Sequence, residues 1–219
     1  RAQFATSWAE FMEAYSFDGI DIDWEYPGGG GLASNTSRPE DTQNFTLLLQ
    51  AVRNELDARG AASNRHYLLT IAAPAGADKI ANIEVEQIYP LLDFINVMTY
   101  DFHGTWEDVT GPLAALQGDP GGYDVATTVS PYRDAGGPPE KMLLGFPLYP
   151  RAWSGVADGG DGGYAEAASG AAPGSFWDQS GMYDYKDLLG RWQAEGNPWE
   201  LYWDDNSQAA YLYNGAEKI

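Results

Sequence analysis

Between Phe17 and Pro27 the chain reads Phe-Asp-Gly-Ile-Asp-Ile-Asp-Trp-Glu-Tyr-Pro, with four acidic residues in eight positions. From Ile20 to Glu25 apolar and acidic residues alternate strictly, the period-2 pattern of a β-strand. On such a strand Asp21, Asp23 and Glu25 share one face, with Ile20, Ile22 and Trp24 on the other. The apolar face packs. The acidic face is a row of carboxylates about 7 Å apart from Cα to Cα. Like charges on one strand face repel, so the row is costly as surface decoration. A Ca²⁺ loop of the EF-hand type needs its ligands at other offsets and a glycine at its sixth position, and this stretch provides neither. A solvated acidic strand leaves the bulky opposite face unexplained. The chemistry suited to the row is general acid–base work, because neighbouring carboxylates raise at least one pKa of the set.

The elements that must position this row come next. Phe4, Trp8, Phe11, Met12 and Tyr15 recur with the spacing of one helix face, just before the acidic strand. Gly28 to Gly31 open a loop behind it, either a plain linker or a loop shaped around a ligand. Pro39, Glu40 and Asp41 mark a helix start. Phe45, Leu48, Leu49, Val52 and Leu56 form its stripe, and Gly60 is read as closing it. Apolar strands are expected at about 67–73, 93–100 and 142–149, in addition to 19–25. Short helical pieces fall between them at Ile83–Tyr89 and Val125–Ala135, the latter expected to break at Pro131. Near-continuous apolar strands alternating with helices imply an α/β fold with a parallel sheet, covered on both faces or closed into a barrel. From Trp153 onward the alternation stops and the chain becomes rich in Gly, Ala, Trp and Tyr.

Composition narrows the partners. The chain has 219 residues and a formal charge of -20, from 12 Lys and Arg against 32 Asp and Glu. That balance argues against nucleic acid and against anionic membranes, and it suits a neutral or cationic polymer. No apolar run approaches the roughly 20 residues of a membrane span. There is no cysteine, so neither disulfides nor thiol chemistry arise. His66 and His103 are isolated in sequence, and no metal-ligand spacing occurs, so no metal or organic cofactor is expected. Asn35-Thr36-Ser37 and Asn44-Phe45-Thr46 fit the glycosylation triplet, a pattern common by chance. The start at Arg1 rather than Met reads as processing or as an internal excerpt.

Asp18-x-x-Asp21-x-Asp23-x-Glu25 followed by Tyr26-Pro27 resembles the signature of the glycoside hydrolase family 18 chitinases at all four acidic positions. Further along, Ala72-Ala73-Pro74-Ala75-Gly76 resembles the family's fifth strand and Met98-Thr99-Tyr100-Asp101 its sixth, with Trp106 beyond. Gly145-Phe146-Pro147-Leu148-Tyr149-Pro150-Arg151 resembles the seventh, with Pro150 where the family usually has Gly. The segments 182–188 and 203–213 are similar to the α+β insertion of the deep-cleft members. The resemblance implies a (β/α)8 TIM barrel, here roughly strands four to seven, with residues 1–152 as a partial barrel and 153–219 as an insertion lobe. Nothing resembles strands one to three or eight. The missing segments, or a second copy, are therefore expected to pair the open sheet edges, and the isolated chain is expected to be neither a stable monomer nor active.

The resemblance also implies roles. Glu25 is the general acid in hydrolysis of β-1,4-linked N-acetylglucosamine polymers (chitin), with retention. The nucleophile is the substrate's own N-acetyl oxygen, an exception to the two-carboxylate scheme. Asp23 orients that amide, with Asp21 completing the coupled set. Tyr100 bonds the acetyl oxygen and Asp101 helps to hold the distorted sugar. Met98, Trp106, Tyr149, Arg151 and Tyr26 contact substrate, while Asp18 and Gly19 are structural. Taken alone, Tyr100 and Asp101 could be a strand terminus, Trp106 core, and Tyr149 and Arg151 packing and a surface charge. Two other readings share the motif: an endo-β-N-acetylglucosaminidase acting on N-glycans, and a non-catalytic chitin-binding lectin. Retention of Glu25 counts against the lectin, and the insertion counts against the N-glycan enzyme. Secretion to the extracellular space is the expected location.

Overall fold

Four short strands lie side by side in chain order: β1 (Gly19–Ile22), β2 (Leu68–Ala73), β3 (Phe94–Val97) and β4 (Met142–Leu144). All three pairings are parallel, so each connection must cross back along the sheet. Helix α2 (Asp41–Ser63) makes the first crossing, α3 (Ala77–Ile80) and α4 (Val85–Ile88) lie in the second, and α5 (Val125–Asp134) lies in the third. Helix α1 (Ala2–Ala14) leads into β1. This computed structural model describes residues 1–119, 121–175 and 180–219. Its parallel sheet of successive strand–helix units is the arrangement of part of a (β/α)8 barrel.

Two units are present among the described residues: Arg1–Met98 with Thr128–Gly145, and Thr99–Thr127 with Phe146–Ile219. The core of the first lies between sheet and helices, where Leu49, Val52, Leu56, Leu69, Ile71, Ile95 and Val97 are almost wholly buried. The N-terminal ends of the strands are tied by a polar node. Arg53 donates to the Tyr67 carbonyl at 2.9 Å and to Asp93 at 3.3 Å, and Asp93 also accepts from the Leu69 N–H at 2.7 Å and pairs with His66 at 2.5 Å. Lys141 caps the Leu92 carbonyl at 2.6 Å.

Several expectations are corrected. The strands stop earlier than their apolar patterns, at Ile22, Val97 and Leu144, because the chain leaves the ladder to form the loops of the C-terminal rim. Helix α1 buries Ala5, Ala9 and Met12, while Phe4, Trp8, Phe11 and Tyr15 stay 37–67% exposed. Small residues let α1 approach α2 closely, and the aromatic row instead packs ring against ring with Phe17. Gly60 does not end α2. The helix continues to Ser63, and Asn64 closes it in the left-handed conformation at φ 51, which Asn tolerates well. Gly60 serves close packing instead, since a Cβ there would lie 2.4 Å from the Arg65 carbonyl oxygen. Helix α5 runs through Pro131 unbroken. Proline removes one backbone bond, and α5 is held on both sides of it by Thr128 to the Ala75 carbonyl (3.0 Å) and Tyr132 to the Pro74 carbonyl (2.7 Å).

The second unit is α+β. Strands β5 (Trp153–Ser154) and β6 (Gly170–Ala171) pair antiparallel, as do β7 (Trp199–Asp204) and β8 (Ala209–Asn214). Helix α6 (Tyr185–Gln193) starts at Asp184, whose side chain accepts from the Lys186 N–H. Trp153, Val156 and Tyr213 form a small core. The loop that follows β3 folds with this unit, through Ala168 N–H to the Asp108 carbonyl at 2.8 Å and a bridge between Val109 and Ala167.

Candidate active site

The carboxylate row stands at the C-terminal rim of the parallel sheet, the end where barrel active sites are built. Ile20 and Ile22 are buried and Trp24 partly so, while Asp21, Asp23 and Glu25 are exposed. The alternation read from the sequence therefore outlasts the ladder itself. Trp24 meets Phe45 edge to face at 5.8 Å, which anchors the back of the row. Asp21 accepts from the Thr70 hydroxyl and, at 3.2 Å, from Asn96 Nδ2, so β2 and β3 both fix its pose. The Asp23 carboxyl is pushed up to about 6, first by a hydrogen bond to Asp21, then by partial burial and the charges of Asp21 and Glu25.

Glu25 is followed by a cis peptide bond to the half-buried Tyr26. Its carbonyl accepts from Asn35 Nδ2 at 3.1 Å. Gly31, at φ 70, brings the loop so near that a Cβ would lie 2.3 Å from the same oxygen. Gly31 is thus fitted to the Glu25 backbone, while Gly28 and Gly30 lie against Asn82 and Lys79. Asp18 pairs with Arg65 at 2.9 Å at the strand start. Gly19 is pressed on β2, where a Cβ would lie 2.3 Å from the Leu68 carbonyl oxygen. Gly19→Ala is expected to force β1 away from β2 at a cost of about 1–3 kcal/mol. A denaturant titration of the variant measures this, and an unchanged midpoint would refute the close-approach role.

In the second unit, Asp101 adopts φ 56, a conformation uncommon for residues other than glycine. Its carboxylate accepts from Arg151 Nε at 2.7 Å. The same guanidinium lies 4.8 Å from the Trp106 ring and 5.9 Å from the Tyr149 ring, and Tyr149 meets Tyr100 edge-on at 6.3 Å. Arg151, at 15% side-chain exposure, is a partner in this cluster rather than a loose surface charge. Burial, with Asp101 alongside, pushes the Tyr149 hydroxyl well up. Trp106 is 60% exposed and so is no core residue. Met98 ends the first segment of the first unit. The sequence reading missed His103, which sits between two carboxylates, Glu107 at 3.0 Å and Asp119 at 3.1 Å. Glu107 follows at the i,i+4 spacing, a signal that could have been noticed; Asp119 is sixteen residues away across an irregular loop. Among the described residues no group of three or more His, Cys, Asp or Glu is arranged to hold a metal ion.

Residues 1–219 match the Glycosyl hydrolases family 18 along their whole length. The chain belongs to this family. Chitinase A1 of Niallia circulans is 41% identical over all of this chain and 32% of its own length. Chitinase 1 of Aphanocladium album is 36% identical over all of this chain and 48% of its length. A solved chitinase from Bacillus thuringiensis superposes with a TM-score of 0.92 at 39% identity, over 99% of this chain and 37% of that one. The family 18 chain thus spans about a third to a half of the relatives it matches.

Proposed function

We propose that this family 18 chain contributes the catalytic carboxylates of a chitinase, which cleaves β-1,4-linked N-acetylglucosamine polymers with retention by substrate assistance. The reading rests on one observation: an exposed row of Asp21, Asp23 and Glu25 at the sheet's C-terminal rim, its first member held by Thr70 and Asn96. Glu25 donates its proton to the glycosidic oxygen. The substrate's acetamido oxygen attacks the anomeric carbon and closes an oxazolinium ion, and water later opens it with Glu25 as base. Asp23 orients the acetamido group and stabilises its developing positive charge. Tyr100 donates to the acetyl oxygen, Asp101 holds the distorted sugar, and Met98, Tyr26, Trp106, Tyr149 and Arg151 contact neighbouring sugars. Residues 1–152 act as barrel and 153–219 as an inserted lobe, with further strands or a second copy against the edges of β1 and β4. The acidic chain works outside the cell on a polymer that carries no negative charge.

The test is hydrolysis of N-acetylated chitin oligosaccharides by the full-length protein, followed by NMR before mutarotation. The β-anomer is expected first, and an α-anomer or no hydrolysis would overturn the reading. A monodisperse, active 219-residue segment would remove the need for further strands.

A further inference from the structure

His103 carries a role that the chemistry above does not use. Its Nδ1 lies 3.0 Å from Glu107 Oε2 and its Nε2 lies 3.1 Å from Asp119 Oδ1. Both ring nitrogens thus face a carboxyl oxygen at hydrogen-bond distance, so the imidazole is held from two sides. The site is built to hold that ring. The Asp119 side chain is wholly buried and that of His103 is 14% exposed. Gly111 lies against the ring, where a Cβ would stand 2.4 Å from its Cγ, and at Gly121 a Cβ would stand 3.2 Å from its Cε1. Asp119 is itself fixed, accepting from the Tyr123 N–H at 3.1 Å while its own N–H donates to Asp124 at 3.4 Å.

The other end of the clamp reaches Trp106. Glu107 Oε2 also accepts from the Gly104 N–H at 3.2 Å, which closes the turn over residues 104–107. Trp153 Nε1 donates to the Glu107 carbonyl at 3.1 Å. The Trp106 ring lies directly on Gly104, so closely that a Cβ there would stand 2.4 Å from it. A chain of contacts therefore runs from buried Asp119 through His103 and Glu107 to the residue on which the exposed indole rests. We infer that His103 is a positioning residue: clamped between Glu107 and Asp119, it sets the pose of Trp106 and so the affinity of the aromatic sugar subsite. The bonds at the two ring nitrogens tie the 104–107 turn, and with it the indole, to buried Asp119.

The inference rests on the proposed stacking of sugar on Trp106, and the experiment separates the two. In the full-length protein, Trp106→Ala, His103→Asn, Glu107→Gln and the Trp106/His103 double variant are compared on N-acetylchitohexaose. Each single variant is expected to raise KM by about three- to tenfold, the range of one aromatic contact, with kcat nearly unchanged. The double variant is expected to be no worse than Trp106→Ala alone, since coupled residues are not additive. If Trp106→Ala leaves KM unchanged, the stacking reading fails. If Trp106→Ala raises KM but His103→Asn and Glu107→Gln do not, or if the double variant is additive, the positioning role is overturned. Should His103→Asn lose kcat and Tm together, Glu107→Gln, which keeps an acceptor for the Gly104 N–H, decides: a KM rise supports the clamp, and an unchanged KM removes it.

Discussion

Glu25→Gln in the full-length protein is expected to lower turnover of chitin oligosaccharides by about 10²–10⁴-fold, the usual contribution of a general acid. The amide matches the carboxylate in shape but has no proton to transfer. Glu25 stands beyond the last paired residue of β1, Ile22, with its backbone gripped by Asn35 and Gly31, so the substitution disturbs neither strand nor loop. Oligosaccharide binding should therefore survive. Stopped-time product analysis and calorimetric titration on the same preparation measure both quantities. Wild-type turnover in the variant would remove Glu25 from the acid role.

Asp23→Asn is expected to lower turnover by about 10²-fold, the scale of losing one preorganised electrostatic partner, and to erase a titration step near pH 6. That step is the titration of Asp23, raised first by its hydrogen bond to Asp21. The effect on stability has a definite sign. A carboxyl whose folded pKa lies above its unfolded value favours the folded state when protonated. The contribution is full below about pH 4 and is lost as pH rises through about 6. The variant has no such group, so its Tm should gain on the wild type between pH 4 and pH 7. Parallel melts at the two pH values check this, and a constant Tm difference would show that Asp23 is not perturbed by its neighbours.

The sheet and the row were legible because both rest on local periodicity. Alternation from Ile20 to Glu25 names its own faces, and the strands at Leu68, Phe94 and Met142 are short apolar runs set between helical stretches. The buried face of α1 was not legible. Apolar counting favours Phe4, Trp8, Phe11 and Tyr15, whereas the helix–helix seam needs the small Ala5 and Ala9, and nothing in the α1 sequence says which of its two apolar stripes meets α2. Gly60 was misread for a related reason. Its role is set by Arg65 folding back on it, a contact that depends on the turn beyond the helix. In the site, Asp101 and Arg151 were named separately by resemblance, yet their ion pair spans fifty residues and only the fold brings them together. The His103 clamp was hidden likewise, because Asp119 reaches the ring through an irregular loop with no period to read.

The node formed by Arg53, His66, Asp93 and the Tyr67 and Leu69 backbone lies at the opposite end of the strands from the carboxylate row. The two ends of the sheet are therefore separate compartments for evolutionary change. Charge and loop length at the carboxylate rim can change while the ionic fastening at the other end keeps the strands in register. A lineage that kept Arg53 and Asp93 could vary the carboxylate rim without first relearning how to fold.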